Sequence, residues 1–238
     1  MKKILIILMS ITLLIPKQSN SQNNGDAAAA AVGGILAIGA GIAAMKAAEE
    51  QAELSATEWI LANHKELNSF SLRTLDFRGK KLKDMSSASV ITFKIQEFTP
   101  SDKPGLDGKK QILFCFTSRG WINDYGINFN KVKWHLIDAG EWMNMMIAYV
   151  KVSSKEKNES FLKETLIKGR IINKGIKVKN KTVIPFFKLH GDMYLVTDYS
   201  PEMKLIYNEK SLGIFLKKTR DLVQIRRGQI IRIHNYFF

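Results

Sequence analysis

One group of side chains in this chain has the types and the spacing that acid–base or metal chemistry needs. A helix would bring together His135, Asp138 and Glu141, and imidazole and carboxylate groups can hold a metal ion or exchange protons. Gly140 and the strand-like run 132–137 argue against one continuous helix through all three. The sequence therefore favours a surface polar cluster, with a metal site as the alternative.

The other reactive side chains have weaker patterns around them. His190 precedes Gly191 and Asp192, which are common turn residues. Cys115 lies between strand-forming residues, so we expect it to be a small buried side chain rather than a catalytic thiol. The chain has no P-loop, no dinucleotide-binding fingerprint, no H-E-x-x-H and no G-x-S-x-G. These observations predict no cofactor and favour a non-enzymatic protein. The alternative is a secreted, hydrolase-like enzyme without a linear motif.

Basic side chains form groups along the second half of the chain. Only eight of the 36 basic residues are Arg, the residue on which specific phosphate and nucleic-acid sites depend. No RNA- or DNA-binding motif accompanies them, so nucleic acid is a disfavoured partner. An anionic surface, such as lipid headgroups or acidic glycan, suits the charge better; a simply solvated basic surface is the alternative. The predicted anion-binding residues are Lys177, Lys179, Lys181, Lys217, Lys218, Arg220, Arg226 and Arg227.

Three tryptophans lie close together in the sequence, at Trp121, Trp134 and Trp142. Exposed indole rings could form a platform for a carbohydrate, which would make the protein a soluble glycan- or ligand-binding module. The neighbouring residues are rich in Phe, Ile and Met, so we expect these rings to pack in the core instead.

The N-terminus carries a pattern that is typical of exported proteins. Two lysines precede an apolar run, residues 4–15, which is shorter than the ~20 residues that span a bilayer. Ser19 and Ser21 are small residues at the right distance from a cleavage before Gln22. Residues 1–21 therefore resemble a bacterial Sec signal peptide. The resemblance implies export to the periplasm, the outer envelope or the extracellular space.

A segment of nineteen residues, 27–45, has no polar side chain. Small residues recur at every fourth position in it, at Ala29, Gly33, Ala37 and Gly41. On a helix this spacing makes a smooth face that allows two backbones to approach closely. The segment resembles the glycine-zipper stretches of envelope proteins. It predicts a helix that touches a membrane or associates with another copy; a soluble or flexible segment is the alternative.

Charge divides the remaining chain into two parts. The 238 residues carry a net charge of +14 and are 45% hydrophobic with one Cys, which excludes a disordered chain and a disulfide scaffold. Residues 23–66 hold six acids and two bases, whereas residues 67–238 hold 16 acids and 31 bases. The acidic part reads as a helix over 43–67 that either packs on the basic body or stands free in solvent.

These observations predict an α+β protein with three parts. They are a signal peptide (1–21), a small-residue helix that runs into an amphipathic acidic helix (22–67), and a mostly antiparallel β body with two or three helices (68–238). A polar stretch at 153–160 suggests a subdivision of the body. The predicted body strands are 71–77, 89–98, 111–118, 131–138, 182–189, 193–197, 203–207 and 223–237, the last with a turn near Gly228, and the helices are 139–150, 161–168 and 209–220.

Overall fold

The structure, a computed structural model, describes residues 41–77, 88–123, 126–190, 193–208 and 210–238. Within these ranges the chain forms four α-helices and thirteen strands. The helices are α1 (Gly41–Asn63), α2 (Ala139–Ser153), α3 (Glu159–Lys168) and α4 (Arg227–Phe237). The strands are β1 (Phe70–Asp76), β2 (Ser89–Glu97), β3 (Lys110–Thr117), β4 (Ile122–Asn123), β5 (Gly126–Ile127), β6 (Val132–Asp138), β7 (Arg170–Ile172), β8 (Gly175–Val178), β9 (Lys181–Pro185), β10 (Leu195–Asp198), β11 (Met203–Tyr207), β12 (Ser211–Leu216) and β13 (Asp221–Arg226).

The strands form three sheets and a short ribbon, β4–β5. The first sheet has the order β1-β2-β3-β6, the second β10-β11-β12-β13 and the third β7-β8-β9. Every strand pair among the described residues is antiparallel. The predicted mixture of helices with antiparallel sheets is thereby confirmed, whereas the predicted signal peptide, 1–21, lies outside the described residues.

Helix α1 covers one face of the first sheet. Its buried positions, Ala48, Ala52, Ala56 and Ile60, follow a spacing of four residues and pack in one apolar cluster with strands β2 and β3. The Glu53 carboxylate also accepts hydrogen bonds from the backbone N–H and the hydroxyl of Thr74, both at 2.7 Å. Of the two alternatives for the acidic helix, the structure therefore has the packed one.

Helix α2 lies at the centre of the larger apolar cluster, which covers the opposite face of the first sheet. Asp138 is the N-cap of this helix, since its carboxylate accepts from the backbone N–H of Glu141 at 2.9 Å. Trp142 and Tyr149 are fully buried. Leu166 of α3 belongs to the same cluster, so the helices on both sides of the polar stretch share one core.

The second sheet corrects the predicted helix over 209–220. This segment contains strand β12, in which Leu212, Ile214 and Leu216 are buried in alternation. A side chain at Gly213 would lie 3.1 Å from the Cβ of Ile206, so the smallest residue occupies the position between two neighbouring strands. Pairing with β11 and β13 on either side makes this segment a strand rather than a helix.

The C-terminus corrects the predicted strand over 223–237. Strand β13 ends at Arg226, and α4 begins at Arg227 and runs through Gly228, so the turn predicted near Gly228 is wrong as well. Ile230, Ile233 and His234 are buried at helical spacing against the larger cluster. The Gln229 side chain accepts from the backbone N–H of Arg226 at 3.0 Å, which satisfies one donor at the start of the helix.

The third sheet is small and has one buried face. Ile171, Ile176 and Ile184 lie side by side across its strands, and all three are buried. Gly175 connects β7 to β8 with a φ of +145°, and a Cβ there would lie 2.0 Å from the carbonyl oxygen of Ile184. Strand β9 is an outer strand with a register irregularity beside it, which is a position where a residue such as Pro185 is tolerated.

Candidate functional site

The outward face of the third sheet carries a group of basic side chains. Arg170 lies directly opposite Lys177 in the register of β7 and β8. Lys181 begins β9, and two further lysines lie in the connections between the strands. Four of the five side chains are exposed and the Lys177 side chain is half-buried. We call this group the basic sheet; its members are Arg170, Lys174, Lys177, Lys179 and Lys181.

Within the part of the chain that the structure describes, the basic sheet has no acidic partner. The surrounding sequence, residues 165–191, contains seven Lys or Arg residues and no Asp or Glu. Among the residues that the structure describes, none of the five takes part in an ion pair. Like charges directly opposite each other, such as Arg170 and Lys177, destabilise a sheet. An external anion would relieve this repulsion.

The turn between β8 and β9 holds Lys179 in a conformation that lysine seldom adopts. Its φ is +52°, in the left-handed region that favours glycine or asparagine. The neighbouring residue, Asn180, tolerates that region better. The chain therefore keeps an exposed cation at the tip of this hairpin at a cost in backbone energy, which is a pattern found at functional sites.

The second predicted basic group, in the turn between β12 and β13, has internal partners. The Lys217 ammonium lies 2.9 Å from the Asp198 carboxylate and donates to the carbonyl of Ser200 at 2.9 Å. Lys204 lies 3.8 Å from the same carboxylate. The hydrogen bond from Lys217 lowers the pKa of Asp198 below its usual value. Lys218 and Arg220 are exposed beside this network.

The last two predicted residues, Arg226 and Arg227, lie away from that turn. Arg226 is exposed at the opposite end of β13 from Arg220, about 20 Å away along the strand. Arg227 is 5% exposed, and it donates to the carbonyls of Ile172 (2.9 Å) and Asn173 (2.6 Å). The prediction that Arg227 lies on the surface is therefore wrong. Arg227 is buried and anchors the basic sheet to α4.

A cluster of aromatic rings lies under the basic sheet, and nothing in the sequence predicted it. The guanidinium of Arg227 lies over the Phe186 ring, 5.3 Å from its centroid. Tyr149 packs against both Phe186 (5.8 Å) and Tyr207 (5.2 Å), and burial raises the pKa of its phenol. The Tyr207 hydroxyl donates to the carbonyl of Phe187 at 3.1 Å. These contacts give the segment after β9 a fixed position.

Two grooves run along the two edges of the basic sheet. The β9 groove has a volume of about 400 Å³ and lies between β9 and the segment after α2. Its lining residues are Ser154, Lys155, Glu156, Val183, Ile184, Pro185, Phe186 and Phe187. The β7 groove has a volume of about 580 Å³ and lies between β7 and α4. Its lining residues are Ile167, Lys168, Gly169, Arg170, Ile171, Ile172, Ile231, His234, Asn235 and Phe238.

His234 in the β7 groove has both ring nitrogens engaged. The Trp142 indole donates to Nδ1 at 3.3 Å, and Nε2 lies 2.8 Å from the carbonyl of Leu166. This arrangement requires the neutral tautomer that carries its proton on Nε2. Burial lowers the pKa of His234 below its reference value of 6.5. The residue therefore connects α4, α2 and α3 in its neutral form.

The His135 cluster comes together only in part. His135 Nε2 lies 2.9 Å from the Glu141 carboxylate. The Asp138 carboxylate caps α2 instead, and its hydrogen bond with the Glu141 N–H lowers its pKa. Within the described residues, no group of three His, Cys, Asp or Glu side chains is arranged to hold a metal ion. His135 and Glu141 could exchange a proton. Asp138, the predicted third member of the cluster, instead caps the helix.

Trp121, Trp142 and Cys115 lie in the core, as predicted, whereas Trp134 is only half-buried against it. Trp121 is 2% exposed and Trp142 is fully buried, so neither can form part of a carbohydrate platform. Trp134 stacks on Trp59 of α1 with ring centroids 6.1 Å apart. Cys115 is 2% exposed, and desolvation raises the pKa of its thiol, which disfavours the reactive thiolate.

Of the four predicted helix-association residues, Gly41 alone lies within the described ranges, where it begins α1. Ala29, Gly33 and Ala37 lie outside them. Across the helices that the structure describes, none combines the length and the apolar character needed to cross a membrane.

Comparisons with protein-family models, with curated proteins and with solved structures found no match to this chain. Its function is therefore inferred from the charge, the burial and the contacts of its own residues.

Proposed function

We propose that this chain is an exported envelope protein whose body binds an anionic membrane surface. In this proposal the protein is a non-enzymatic binding module. Its small-residue segment, 27–45, contacts the membrane or a second copy of the chain. The signal-peptide pattern at 1–21 supports export, and it makes lipid headgroups a partner that the exported chain would meet.

The observation that carries the proposal is the absence of counterions at the basic sheet, within the part of the chain that the structure describes. Three lysines and their neighbours point outward with no acid between residues 165 and 191. Basic residues near an anionic membrane each contribute about 1 kcal/mol of attraction. Because Arg170 and Lys177 repel each other in the free protein, an anionic surface also removes a cost of folding.

Exposed apolar side chains beside the cations support a membrane rather than a purely polar polyanion. Val183, within β9, is 40% exposed, and Phe187, shortly after β9, is 38% exposed. Proteins that lie on a bilayer commonly combine basic residues with apolar side chains that enter the interface. The acidic helix α1 packs on the first sheet and leaves the basic sheet uncovered.

Vesicle binding tests this proposal with the chain purified after export. Wild-type protein is expected to float with vesicles that contain anionic phospholipid and to stay behind with purely zwitterionic vesicles. The triple variant Lys177→Gln, Lys179→Gln, Lys181→Gln should lose about 3 kcal/mol of binding, or roughly a hundredfold in affinity. The loss should shrink as salt is added, because salt screens exposed charges.

A matched control removes three exposed lysines from the first half of the chain, away from the basic sheet. Lys65→Gln, Lys94→Gln, Lys103→Gln changes the net charge by the same amount, and all three side chains are exposed. This control should keep most of the vesicle binding. Equal losses in the two triple variants would mean that net charge alone acts, and the proposed surface would then be wrong.

Export and the small-residue segment need a separate experiment. Cell fractionation with N-terminal sequencing should find the mature chain in the envelope, beginning at Gln22. The double variant Gly33→Leu, Gly41→Leu should reduce membrane retention or oligomer size, because bulky side chains block the close approach of helices. Unchanged fractionation and oligomer size would refute the role proposed for Ala29, Gly33, Ala37 and Gly41.

A further inference from the structure

We infer that the β9 groove holds one acyl chain of an anionic lipid, beside the basic sheet. The inference rests on the proposed function, since an anionic membrane is the source of the lipid. It goes further by assigning a chain-binding site to the groove between Ser154 and Phe187.

One wall of the groove is apolar and partly open to water. Val183 and Phe187 expose 40% and 38% of their surfaces, whereas Ile184 between them is 2% exposed. A hydrocarbon chain lying along this wall would remove the exposed apolar surface from water, which is the main source of affinity for such ligands. The volume of about 400 Å³ falls within the range of roughly 300–1,000 Å³ found for small-molecule sites.

The opposite wall provides a positive charge for the headgroup. Lys155 is exposed and, within the described residues, takes part in no ion pair. Glu156 is the one acid that lines the groove, and its carboxylate already accepts from the backbone N–H groups of Lys157 (2.9 Å) and Asn158 (2.7 Å). The wall therefore presents a free cation next to an acid that is engaged in its own loop.

The groove is formed before any ligand binds. The Ser154 hydroxyl donates to the carbonyl of Val150 at 2.8 Å and accepts from the Glu156 N–H at 3.2 Å, which fixes the polar wall. Phe186, at the base, is held between the Arg227 guanidinium and the Tyr149 ring. A preformed apolar site avoids the cost of ordering side chains upon binding.

The backbone at the C-terminal end of β9 disfavours an added β-strand as the occupant of the groove. Pro185 has no N–H group to donate, and the N–H of Phe187 already donates to the carbonyl of Ser153 at 2.7 Å. A peptide that extends a sheet depends on such backbone donors for its affinity. The groove therefore favours a ligand that binds through apolar contacts and charge, as an acyl chain with an anionic head does.

A chain-length series tests the inference by calorimetry on the exported protein. The probes are n-alkyl phosphates from octyl to tetradecyl, each used below its micelle concentration. The affinity is expected to rise about fourfold for each added methylene, with one ligand bound per protein chain. Alkyl glucosides of the same lengths should bind more weakly, because they lack the negative charge. An affinity that does not depend on chain length would overturn the inference.

Two matched variants locate the binding. Val183→Asn places a polar group in the groove and should lower the affinity for tetradecyl phosphate at least about fivefold. Val196→Asn makes the same change at an exposed valine of β10, 54% exposed and outside the groove, and should leave the affinity unchanged. Circular dichroism and thermal unfolding of both variants check that each is folded. Equal effects in the two variants would mean adsorption elsewhere, and would contradict the assignment.

The outcomes separate this inference from the proposed function. If Val183→Asn keeps the chain-length dependence while the triple Lys variant loses vesicle binding, the groove assignment is wrong and the basic surface stands. If the chain-length series behaves as expected but vesicle binding is unaffected by the triple variant, the groove is supported and the membrane role of the basic sheet is wrong.

Discussion

Two hairpins of this protein carry similar basic residues in different surroundings. The β8–β9 hairpin bears Lys177, Lys179 and Lys181, and the β12–β13 hairpin bears Lys217 and Arg220. Each hairpin has a basic residue with positive φ in its turn, Lys179 at +52° and Arg220 at +59°. In the second hairpin, Asp198 at the end of β10 pairs with Lys217. In the first, no acid lies within the same stretch of sequence.

The difference shows that a lysine acquires its role from the strands beside it. Lys217 is paired within the molecule. Its ammonium forms an ion pair with Asp198 of β10 and donates to the carbonyl of Ser200. Among the described residues, no acid pairs with the charges of the basic sheet, so these charges are available to another molecule. The sequence alone cannot distinguish the two basic groups, because the acid that pairs with Lys217, Asp198, comes from a different strand.

The largest expected effect is on stability, and it should affect the β8–β9 hairpin more than the β12–β13 hairpin. Gly175→Ala should destabilise the protein by more than about 3 kcal/mol, because its Cβ would lie 2.0 Å from the Ile184 carbonyl oxygen and φ is +145°. Denaturant unfolding measures the loss. Native-state hydrogen exchange should show that protection falls first at β7–β9 and is kept longer at β12–β13.

Gly120→Ala is the matched control for that substitution. Gly120 also has positive φ (+76°), but nothing lies within 4 Å of the Cβ that Ala would add. Its cost should be only about 1 kcal/mol, which is the backbone contribution alone. Similar costs at the two glycines would mean that the close contact at Gly175 relaxes easily.

The next effect concerns the anchor of the basic sheet. Arg227→Met should cost about 2–3 kcal/mol, because it leaves the carbonyls of Ile172 and Asn173 without their charged donor. Arg226→Met, one residue earlier and exposed, should change stability by less than about 0.5 kcal/mol. Thermal unfolding compares the two. A larger cost at Arg226 than at Arg227 would be incompatible with the buried position of Arg227.

A pH effect should follow from His234, on the side of the basic sheet that contacts α4. Its folded-state pKa lies below the reference value of 6.5, so the unfolded chain takes up the proton first as pH falls. The stability contributed by the neutral ring is present above pH 6.5 and is lost as pH falls through the lowered pKa. Protonation would place a second donor against the Trp142 indole, which removes a hydrogen bond worth about 1 kcal/mol.

The variant His234→Gln serves as the control for this pH effect. It should be less stable than wild type at pH 7 and should show a flatter dependence of the free energy of unfolding between pH 7 and pH 5. If the slope in this range is the same in both proteins, the titration belongs to other groups.

The smallest effect distinguishes the two hairpins by its sign. Lys177→Gln should stabilise the protein by about 0.2–0.5 kcal/mol, because it removes a charge opposite Arg170. Lys217→Gln should destabilise it by up to about 1 kcal/mol, because the Asp198 carboxylate loses its closest cation. High-precision thermal unfolding at low salt resolves both values. Effects of the same sign would contradict the distinction between the two hairpins.

The sequence predicted the elements whose side-chain period agrees with their environment. Strand β11 was predicted at its observed bounds, 203–207, and the alternation of Met203, Leu205 and Tyr207 explains why. Strand β12 contains Leu212, Ile214, Phe215 and Leu216, which fit a period of two and a helical spacing equally well. Only the strands on either side decide between these periods, and they come from other parts of the chain.

The prediction of a strand where helix α4 forms was wrong for a related reason. Its isoleucines, including Ile230 and Ile233, favour a strand when local preference is considered alone. Packing of one face against the larger cluster stabilises the helix instead. Three lysines of the anionic-surface prediction do lie together on β8–β9, whereas Arg227 is buried. The sequence could have provided one more signal, the absence of acids between residues 165 and 191.

The closed edge of β9 has a consequence for a protein that collects on a surface. Adsorption to a bilayer raises the local concentration of a protein, and exposed strand edges then invite neighbouring copies to join into larger sheets. In this chain Pro185 lacks the donor, and the Phe187 N–H is already bound to Ser153. The C-terminal end of β9 therefore offers neighbouring copies few backbone donors, which makes this part of the edge a poor template for aggregation at high density.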